Sequence, residues 1–280
     1  MNAVTGKTAF LVSKSGFISL CILSCQSTST KPITTDTIAK GTVVDTNQVK
    51  TEQALTDKGK KIIYLTFDDG PNKGSKNVMD IIEQEQVLAT AFIIGEQVYG
   101  SPSQRSNFER LSRIKYYEIA NHSHTHAFHN NYKYFYTKPD SAYKDFVRCA
   151  DSLHLKSGII RMPGRNIWRT KTVNSTDLKA SAKAADLFYS KGFNIIGWDV
   201  QWDYNRQLKL TNTTENIIEQ IKNMFANNKT KIPGHLVLLA HDQVYEDAQD
   251  SGELRLLIDR LKASHEYEFR QISSYPDVKN

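Results

Sequence analysis

The 280-residue chain has few cysteines, no unbroken membrane-length hydrophobic run and little excess charge. Cys21, Cys25 and Cys149 allow one disulfide at most, which excludes a fold held together by several disulfides. The apolar stretch 9–25 is interrupted by Lys14, and a bilayer span needs about 20 apolar residues. The net charge of +6 is too small and too dispersed for a nucleic-acid-binding surface. We therefore expect a globular protein with an ordinary hydrophobic core and no nucleic-acid partner.

The first 25 residues have the layout of an export signal. Lys7 and Lys14 precede a short apolar run, Gly16–Ser24, that ends in a small residue before Cys25. The four residues Ile-Leu-Ser-Cys at its end resemble a bacterial lipobox, in which the cysteine is lipidated and becomes the first mature residue. We expect a lipoprotein-type signal peptide at 1–25 and a lipid anchor on Cys25, which would place the exported protein at a membrane of the cell envelope. An ordinary signal peptide, giving a soluble secreted or periplasmic protein, is the alternative.

The next 35 or so residues differ in composition from the rest of the chain. Residues 26–60 are rich in Ser, Thr, Lys and Gln, contain no aromatic residue and show no sustained apolar period. Such a segment cannot bury a core, and we expect it to be a flexible tether. The folded part is predicted to be one domain over residues 61–275, a length typical of a single domain.

Within that domain, short β-branched or aromatic runs alternate with longer helical patterns. The candidate strands are 61–67, 89–94, 118–121, 158–161, 193–198, 235–240 and 266–272. The helical patterns lie near 75–86, 104–115, 140–154, 176–191, 212–227 and 252–264. This alternation is typical of α/β folds with a parallel sheet. About seven strands, one fewer than a complete barrel needs, predict an incomplete or distorted (β/α) barrel, with an open doubly wound sheet as the alternative.

Polar residues follow these strands directly, where the ends of parallel strands form one face. They are Asp68, Asp69, His122, Arg161, Asp199 and His241. Asp68 and Asp69 lie in a turn made by Gly70 and Pro71, although a solvated Asp-Gly turn would look the same.

His122 and His126 are four residues apart, a spacing that places both imidazoles on one face if the segment is helical. One carboxylate and two imidazoles form a set that binds catalytic zinc. The alternative is a histidine-rich surface loop, to which His124 and His129 belong.

Three further segments complete a pattern. Arg161–Gly164, Trp198–Asp203 and Leu239–Asp242 follow the two motifs above in order. Together the five resemble the motifs of the polysaccharide deacetylases of carbohydrate esterase family four, over about residues 61–272. The resemblance implies that Asp69, His122 and His126 bind one divalent metal ion, usually Zn²⁺.

The resemblance also implies roles for the remaining motif residues. Asp68 would be the base that activates water, Arg161 would orient Asp68, and His241 would be the general acid. An acid of the fourth motif would orient His241, and we favour Asp199 over Asp203 because Asp199 directly follows the strand. The third motif has Gly164 where the family commonly has an aromatic residue, but its backbone N–H can still donate to an oxyanion.

Flat aromatic rings are suited to stacking on sugars, and several lie near these motifs. The stretch 128–136 contains five aromatic residues, and Trp168 and Trp202 are further candidates for substrate binding. Core packing is the alternative, and we expect roughly half of these rings to be structural.

The predicted activity is hydrolysis of N-acetyl groups from an acetylated polysaccharide such as peptidoglycan, a chitin-like polymer or another envelope glycan. An O-acetyl esterase acting on a xylan-like glycan is the alternative within enzymes. A catalytically inactive glycan-binding protein of the same fold is the alternative outside them. No obligatory protein partner is expected.

Overall fold

The computed structural model describes residues 59–278. The predicted signal peptide at 1–25, the lipidation of Cys25 and nearly all of the predicted tether at 26–60 lie outside the described residues. Among the helices that are described, none combines the length and the apolar character needed to cross a bilayer.

A single ten-stranded sheet forms the centre of the described part of the chain. Its strands are β1 (Lys61–Gly70), β2 (Ala89–Ile93), β3 (Tyr117–Asn121), β4 (Ile159–Ile160), β5 (Trp168–Arg169), β6 (Asn174–Ser175), β7 (Asn194–Ile195), β8 (Val200–Gln201), β9 (His235–His241) and β10 (Tyr267–Phe269). All seven predicted strands are present. The three additional strands, β5, β6 and β8, have two residues each and are too short to carry a periodic sequence signal.

The strand order is that of a barrel with one pairing missing. From β1, the neighbours are β2, β3, β4 and β7 on one side and β9 and β8 on the other, and these pairings are all parallel. In chain order, β1, β2, β3, β4, β7, β8 and β9 therefore follow one another around the barrel in one direction, and the only neighbours in this series that do not pair are β7 and β8, which leaves a gap. The hairpin of β5 and β6 pairs antiparallel with β7 at this gap. The incomplete barrel is confirmed, and the doubly wound alternative is wrong because that topology requires a reversal of direction.

One predicted strand has a different place from the one expected. The segment at 266–272 forms β10, which pairs with the first residues of β1 and takes no position in the barrel circuit. The seventh strand of the circuit is instead β8, which lies between the fifth and sixth predicted strands.

Helices cover the outside of the sheet. The longer ones are α1 (Ser75–Glu85), α2 (Pro102–Leu111), α5 (Pro139–Leu153), α6 (Ala182–Ser190), α7 (Thr214–Ala226) and α8 (Ala248–Ala263), with two five-residue segments, α3 (His126–Asn130) and α4 (Tyr132–Tyr136). Short 3₁₀ turns lie at 96–99, 179–181, 242–246 and 272–274. The six longer helices match the predicted ones to within six residues at each end.

Alternation along β1 separates the core into an outer and an inner part. Ile63, Leu65 and Phe67 are buried with apolar residues of α1, α7 and α8. Ile62 and Tyr64 belong to a different buried cluster, with residues such as Phe92, Ile159 and Val237 from other strands. Because side chains alternate along a strand, Thr66 and Asp68 continue the inner series. The inner face therefore becomes polar at the end of β1, where the candidate site begins.

Candidate active site

The end of β1 turns two adjacent carboxylates towards one cleft. In a regular strand Asp69 would point away from Asp68, but the pairing with β2 shifts between Asp68 and Gly70, as in a β-bulge. Asp69 has φ of +69°, a left-handed conformation that re-aims its side chain. Both carboxylates line a cleft of about 470 Å³.

The loop between β3 and α3 brings the imidazole rings of His122 and His126 close together. His122 follows β3, and His126 begins α3, whose residues have positive φ and are therefore wound left-handed. The imidazole centroids are 5.1 Å apart. The segment between them is not a right-handed helix, because Ser123 has φ of +69°. The side chain that fixes this loop has no recognisable signal in the sequence: Asp145 Oδ2 of α5 accepts the backbone N–H groups of His124 and Thr125 at 3.1 Å each.

Three electron-pair donors converge at this loop. Asp69 Oδ1 lies 3.5 Å from His122 Nε2 and 3.2 Å from His126 Nε2. The Nδ1 of His122 donates to the Arg161 carbonyl oxygen at 3.0 Å, and that of His126 donates to the Asn130 side-chain oxygen. A neutral imidazole that donates through Nδ1 carries a lone pair on Nε2. The donor atoms lie within 4.8 Å of one another, so this set fits a divalent metal ion held by one carboxylate and two imidazoles.

The electrostatics of the cluster also favour a positive charge. Burial raises the pKa of Asp69, but the hydrogen bond and charge of His122, with the charge of His126, hold it well below its usual range. Burial lowers the pKa of His122, whereas the nearby charges of Asp68 and Asp69 raise it, with a net increase. Burial lowers the pKa of His126. Asp69 is therefore ionised at neutral pH, as a metal ligand must be.

Arg161 holds Asp68 from inside the barrel. The guanidinium is fully buried, and its Nη1 donates to Asp68 Oδ1 at 2.7 Å and to Thr66 Oγ1 at 2.8 Å. Its remaining nitrogens donate to the backbone oxygens of Ile196 at 3.1 Å and Gly197 at 2.9 Å. With each nitrogen bonded, the arginine fixes the position of one Asp68 oxygen and compensates its charge.

His241 lies beside Asp68 on the neighbouring strand. It is the last residue of β9 and is in register with Asp68, and its ring meets the edge of Tyr204 with centroids 4.9 Å apart. Burial lowers the pKa of His241, although the nearby charges of Asp69 and Asp68 act to raise it. Its Nδ1 is buried and has no hydrogen-bond partner among residues 59–278.

The expected pairing of Asp199 with His241 is wrong. Val200 is in register with Leu238, which puts Asp199 beside Val237, four residues before His241 on β9 and on the order of 13 Å away along the strand. The Asp199 carboxylate accepts the backbone N–H groups of Lys231 at 2.9 Å and Val237 at 2.8 Å. Burial raises its pKa to about 6, although these hydrogen bonds act to lower it. Asp199 therefore anchors a loop.

The two tryptophans expected to contact substrate are also misassigned. Trp168 and Trp202 are 0% and 1% exposed, so neither ring has a free face. Their indole N–H groups donate to the Asn166 side chain at 3.0 Å and to the Asn212 carbonyl at 2.9 Å. Both are structural, which is the alternative that the sequence left open.

The cleft wall is built from other residues. Gly164 lines it, with φ of +63°, and a Cβ there would approach the Tyr132 ring to 2.8 Å. Tyr132, from the aromatic stretch, also lines the cleft, whereas Phe135 and Tyr136 of the same stretch are buried. Sequence reasoning missed Trp198, Gln201, Tyr204, Asn205 and Arg206, which line the cleft together with Asp203. Trp198 and Gln201 lie within the fourth motif, and the other three directly follow Asp203, its last residue.

Comparisons with known proteins agree with this geometry. The profile of the polysaccharide deacetylase family matches residues 56–173. A putative polysaccharide deacetylase, YheN of Bacillus subtilis, is 25% identical over 224 residues, covering 76% of this chain and 68% of that protein. A chitooligosaccharide deacetylase of a Bradyrhizobium species is 41% identical over 71 residues, which cover 24% of this chain and 30% of that protein.

A solved structure shows the same fold. The catalytic domain of a peptidoglycan N-acetylglucosamine deacetylase from Eubacterium rectale superposes with a TM-score of 0.57 at 22% identity, covering 79% of this chain and 95% of that domain. The matched family profile includes the Asp68–Asp69 turn and the His122–His126 loop. The family profile, the relatives and the shared fold together support a polysaccharide deacetylase of carbohydrate esterase family four.

Proposed function

We propose that the protein hydrolyses N-acetyl groups on an acetylated polysaccharide, with one divalent metal ion, expected to be Zn²⁺, bound by Asp69, His122 and His126. The observation that carries the proposal is the convergence of these donors beside a second, arginine-held carboxylate, Asp68. A bound divalent cation would polarise the acetyl carbonyl and lower the pKa of water towards about 7.

The protein's own groups then divide the proton transfers. Asp68 takes a proton from the attacking water, and the hydrogen bond from Arg161 holds its carboxylate in position at the cleft. The backbone N–H of Gly164 donates to the oxygen on which negative charge develops. His241 gives a proton to the leaving nitrogen. The juxtaposition of Asp68 and His241 on paired strands supports this division, because base and acid then face the same acetyl group from rigid positions.

The substrate class is proposed from the relatives. The named relatives act on peptidoglycan and chitooligosaccharides, so an N-acetylhexosamine polymer of the cell envelope is the substrate that we expect. The test is mass-spectrometric detection of a 42 Da loss, the mass of an acetyl group exchanged for hydrogen, on acetylated chitin, peptidoglycan and xylan oligomers. Loss from xylan alone would favour the O-acetyl esterase. No loss from any oligomer with zinc present would leave only the glycan-binding alternative.

We further propose that residues 61–275 are the catalytic domain of an exported lipoprotein, with 1–25 as signal peptide and 26–60 as tether. The lipobox-like sequence before Cys25 supports this arrangement. A single acyl chain binds membranes only marginally, so stable anchoring needs at least two chains on the cysteine. Cys25→Ser should move the protein from the membrane to the soluble fraction. Unchanged retention in the membrane would contradict the anchor.

A further inference from the structure

The lining of the active cleft includes one arginine side chain, Arg206. Among the described residues that line the cleft, Arg206 alone has a side chain that is positively charged at every physiological pH. The acids on the same wall are Asp68, Asp69 and Asp203. Asp68 is paired with Arg161, and Asp69 belongs to the metal set. Arg206 is exposed and makes no ion pair with any residue between 59 and 278, including the neighbouring Asp203.

The loop that carries Arg206 is firmly built. Tyr204 and Leu210 form an antiparallel bridge across its base. The Asn205 side-chain oxygen accepts the backbone N–H groups of Gln207 at 2.9 Å and Lys209 at 3.1 Å. Loops fixed in this way hold their side chains in one region of space.

The second basic residue of the loop, Lys209, forms ion pairs outside the loop. The Lys209 ammonium pairs with Asp247 and lies 3.6 Å from Asp250, both at the beginning of α8. These contacts tie the loop to a helix and leave Arg206 as its one unpaired cation in the described structure. An unpaired guanidinium at a substrate cleft is available to a planar anion that arrives with the substrate.

We propose that Arg206 is a specificity-determining residue that binds a carboxylate on a sugar next to the one being deacetylated. The inference rests on the proposed function and narrows it to acetylated glycans that carry carboxylates. A guanidinium binds a carboxylate with two parallel charge-assisted hydrogen bonds, and neutral sugar hydroxyl groups lack the negative charge that makes these bonds strong. Because Arg206 is exposed, the expected gain is about fivefold in kcat/KM, the size of a good solvent-exposed ion pair.

The test compares N-acetylated oligomers of equal length. One is neutral, made of N-acetylglucosamine alone, and in another every second sugar carries a lactyl ether carboxylate. In a third, glucuronic acid alternates with N-acetylglucosamine, which distinguishes a uronate from a lactyl group as the source of the charge. Arg206→Gln should lower the ratio of kcat/KM for a charged oligomer to that for the neutral one about fivefold, and Arg206→Lys should restore part of the ratio. Salt should weaken the preference in the wild type.

The matched control is Arg105→Gln. Arg105 is also exposed, but its guanidinium lies 5.5 Å from the Tyr99 ring, away from the active cleft. This change should leave the ratio as in the wild type. An equal loss on charged and neutral oligomers in Arg206→Gln, or no change in the ratio, would overturn the assignment.

A failure of the proposed function would be visible separately, as a wild type that deacetylates none of the three oligomers. Calorimetric binding of the same oligomers to wild type and Arg206→Gln would then decide the role of Arg206. Tighter binding of a charged oligomer that depends on Arg206 supports the proposal, and its absence refutes it.

Discussion

The adjacent carboxylates Asp68 and Asp69 provide the sharpest test of the site, because the same substitution should have opposite effects at the two positions. Asp68→Asn leaves Asp69, His122 and His126 intact and should keep the metal. It should lower kcat by about 10²–10⁴, the usual loss when a general base is removed, because an amide does not accept a proton from water. Asp69→Asn should lose most of the metal, with activity partly restored by excess zinc.

The structure also bounds what Asp68→Asn costs in stability. Removing one partner of a buried ion pair costs about 3–5 kcal/mol, since the other charge is left uncompensated. An asparagine oxygen can still accept the 2.7 Å hydrogen bond from Arg161, whose other three contacts do not involve Asp68. We therefore expect a loss of at most about 3 kcal/mol in the free energy of unfolding. Asp68→Ala, which leaves no acceptor, is the matched comparison and should lose more.

Three measurements separate the possibilities. Metal content after dialysis reports the ligand set, acetate release under saturating zinc reports catalysis, and thermal unfolding with metal present reports the fold. Asp68→Asn should be folded, metal-loaded and inactive. If Asp68→Asn loses the metal and Asp69→Asn keeps it, the two roles are reversed and the reasoning from the bulge fails. If Asp68→Asn retains wild-type activity, Asp68 is not the base.

Two further predictions concern other parts of the site. His126→Ala should lose most of the bound metal in the same dialysis assay. The control His129→Ala should keep the metal, because His129 is exposed and pairs with Glu96. Equal metal loss in both variants would contradict the ligand set. Because burial raises the pKa of Asp199 to about 6, its contribution to stability should be full below about pH 4 and be lost as the pH rises through 6. Asp199→Asn should remove this pH dependence, which amounts to about 1–3 kcal/mol in the free energy of unfolding, and should leave the pH profile of kcat unchanged. A shifted profile would restore the pairing with His241.

The parts of the fold that were predictable from sequence are those with a local signal. β1, β2 and β9 are buried runs of five to ten residues, long enough for their composition to identify them. The positions of Asp68, His122 and His241 followed because parallel strands end at one face. The two histidines were identified from residue type and spacing, and Asp69 from the resemblance to the family, but the segment between the histidines is not a right-handed helix. A loop held by Asp145, about 20 residues away in sequence, brings them together instead.

The misassigned residues lie where position depends on the gap between β7 and β8. The place of Asp199 is fixed by the register of β8, a strand of two residues with no periodic signal. Trp168 belongs to the hairpin that pairs with β7 at the gap, and its burial depends on that non-local packing. An aromatic residue near a motif has the same sequence signature whether it faces substrate or core. Sequence therefore failed where the barrel departs from a regular circuit.

That gap also explains how the cleft is kept open. At the gap, the Asn166 side chain takes the place of a neighbouring strand: its amide donates to the Trp198 carbonyl at 2.9 Å and accepts the Trp198 N–H at 3.1 Å. Arg161 takes up the carbonyl groups of Ile196 and Gly197 in the same segment. A continuous strand pairing at the gap would hydrogen-bond these backbone N–H and carbonyl groups and close the barrel. Here side chains make the hydrogen bonds instead, and Trp198 lines the cleft. Arg161 thus contacts both the backbone at the gap and the Asp68 carboxylate, so one side chain connects the incomplete barrel to the proposed chemistry.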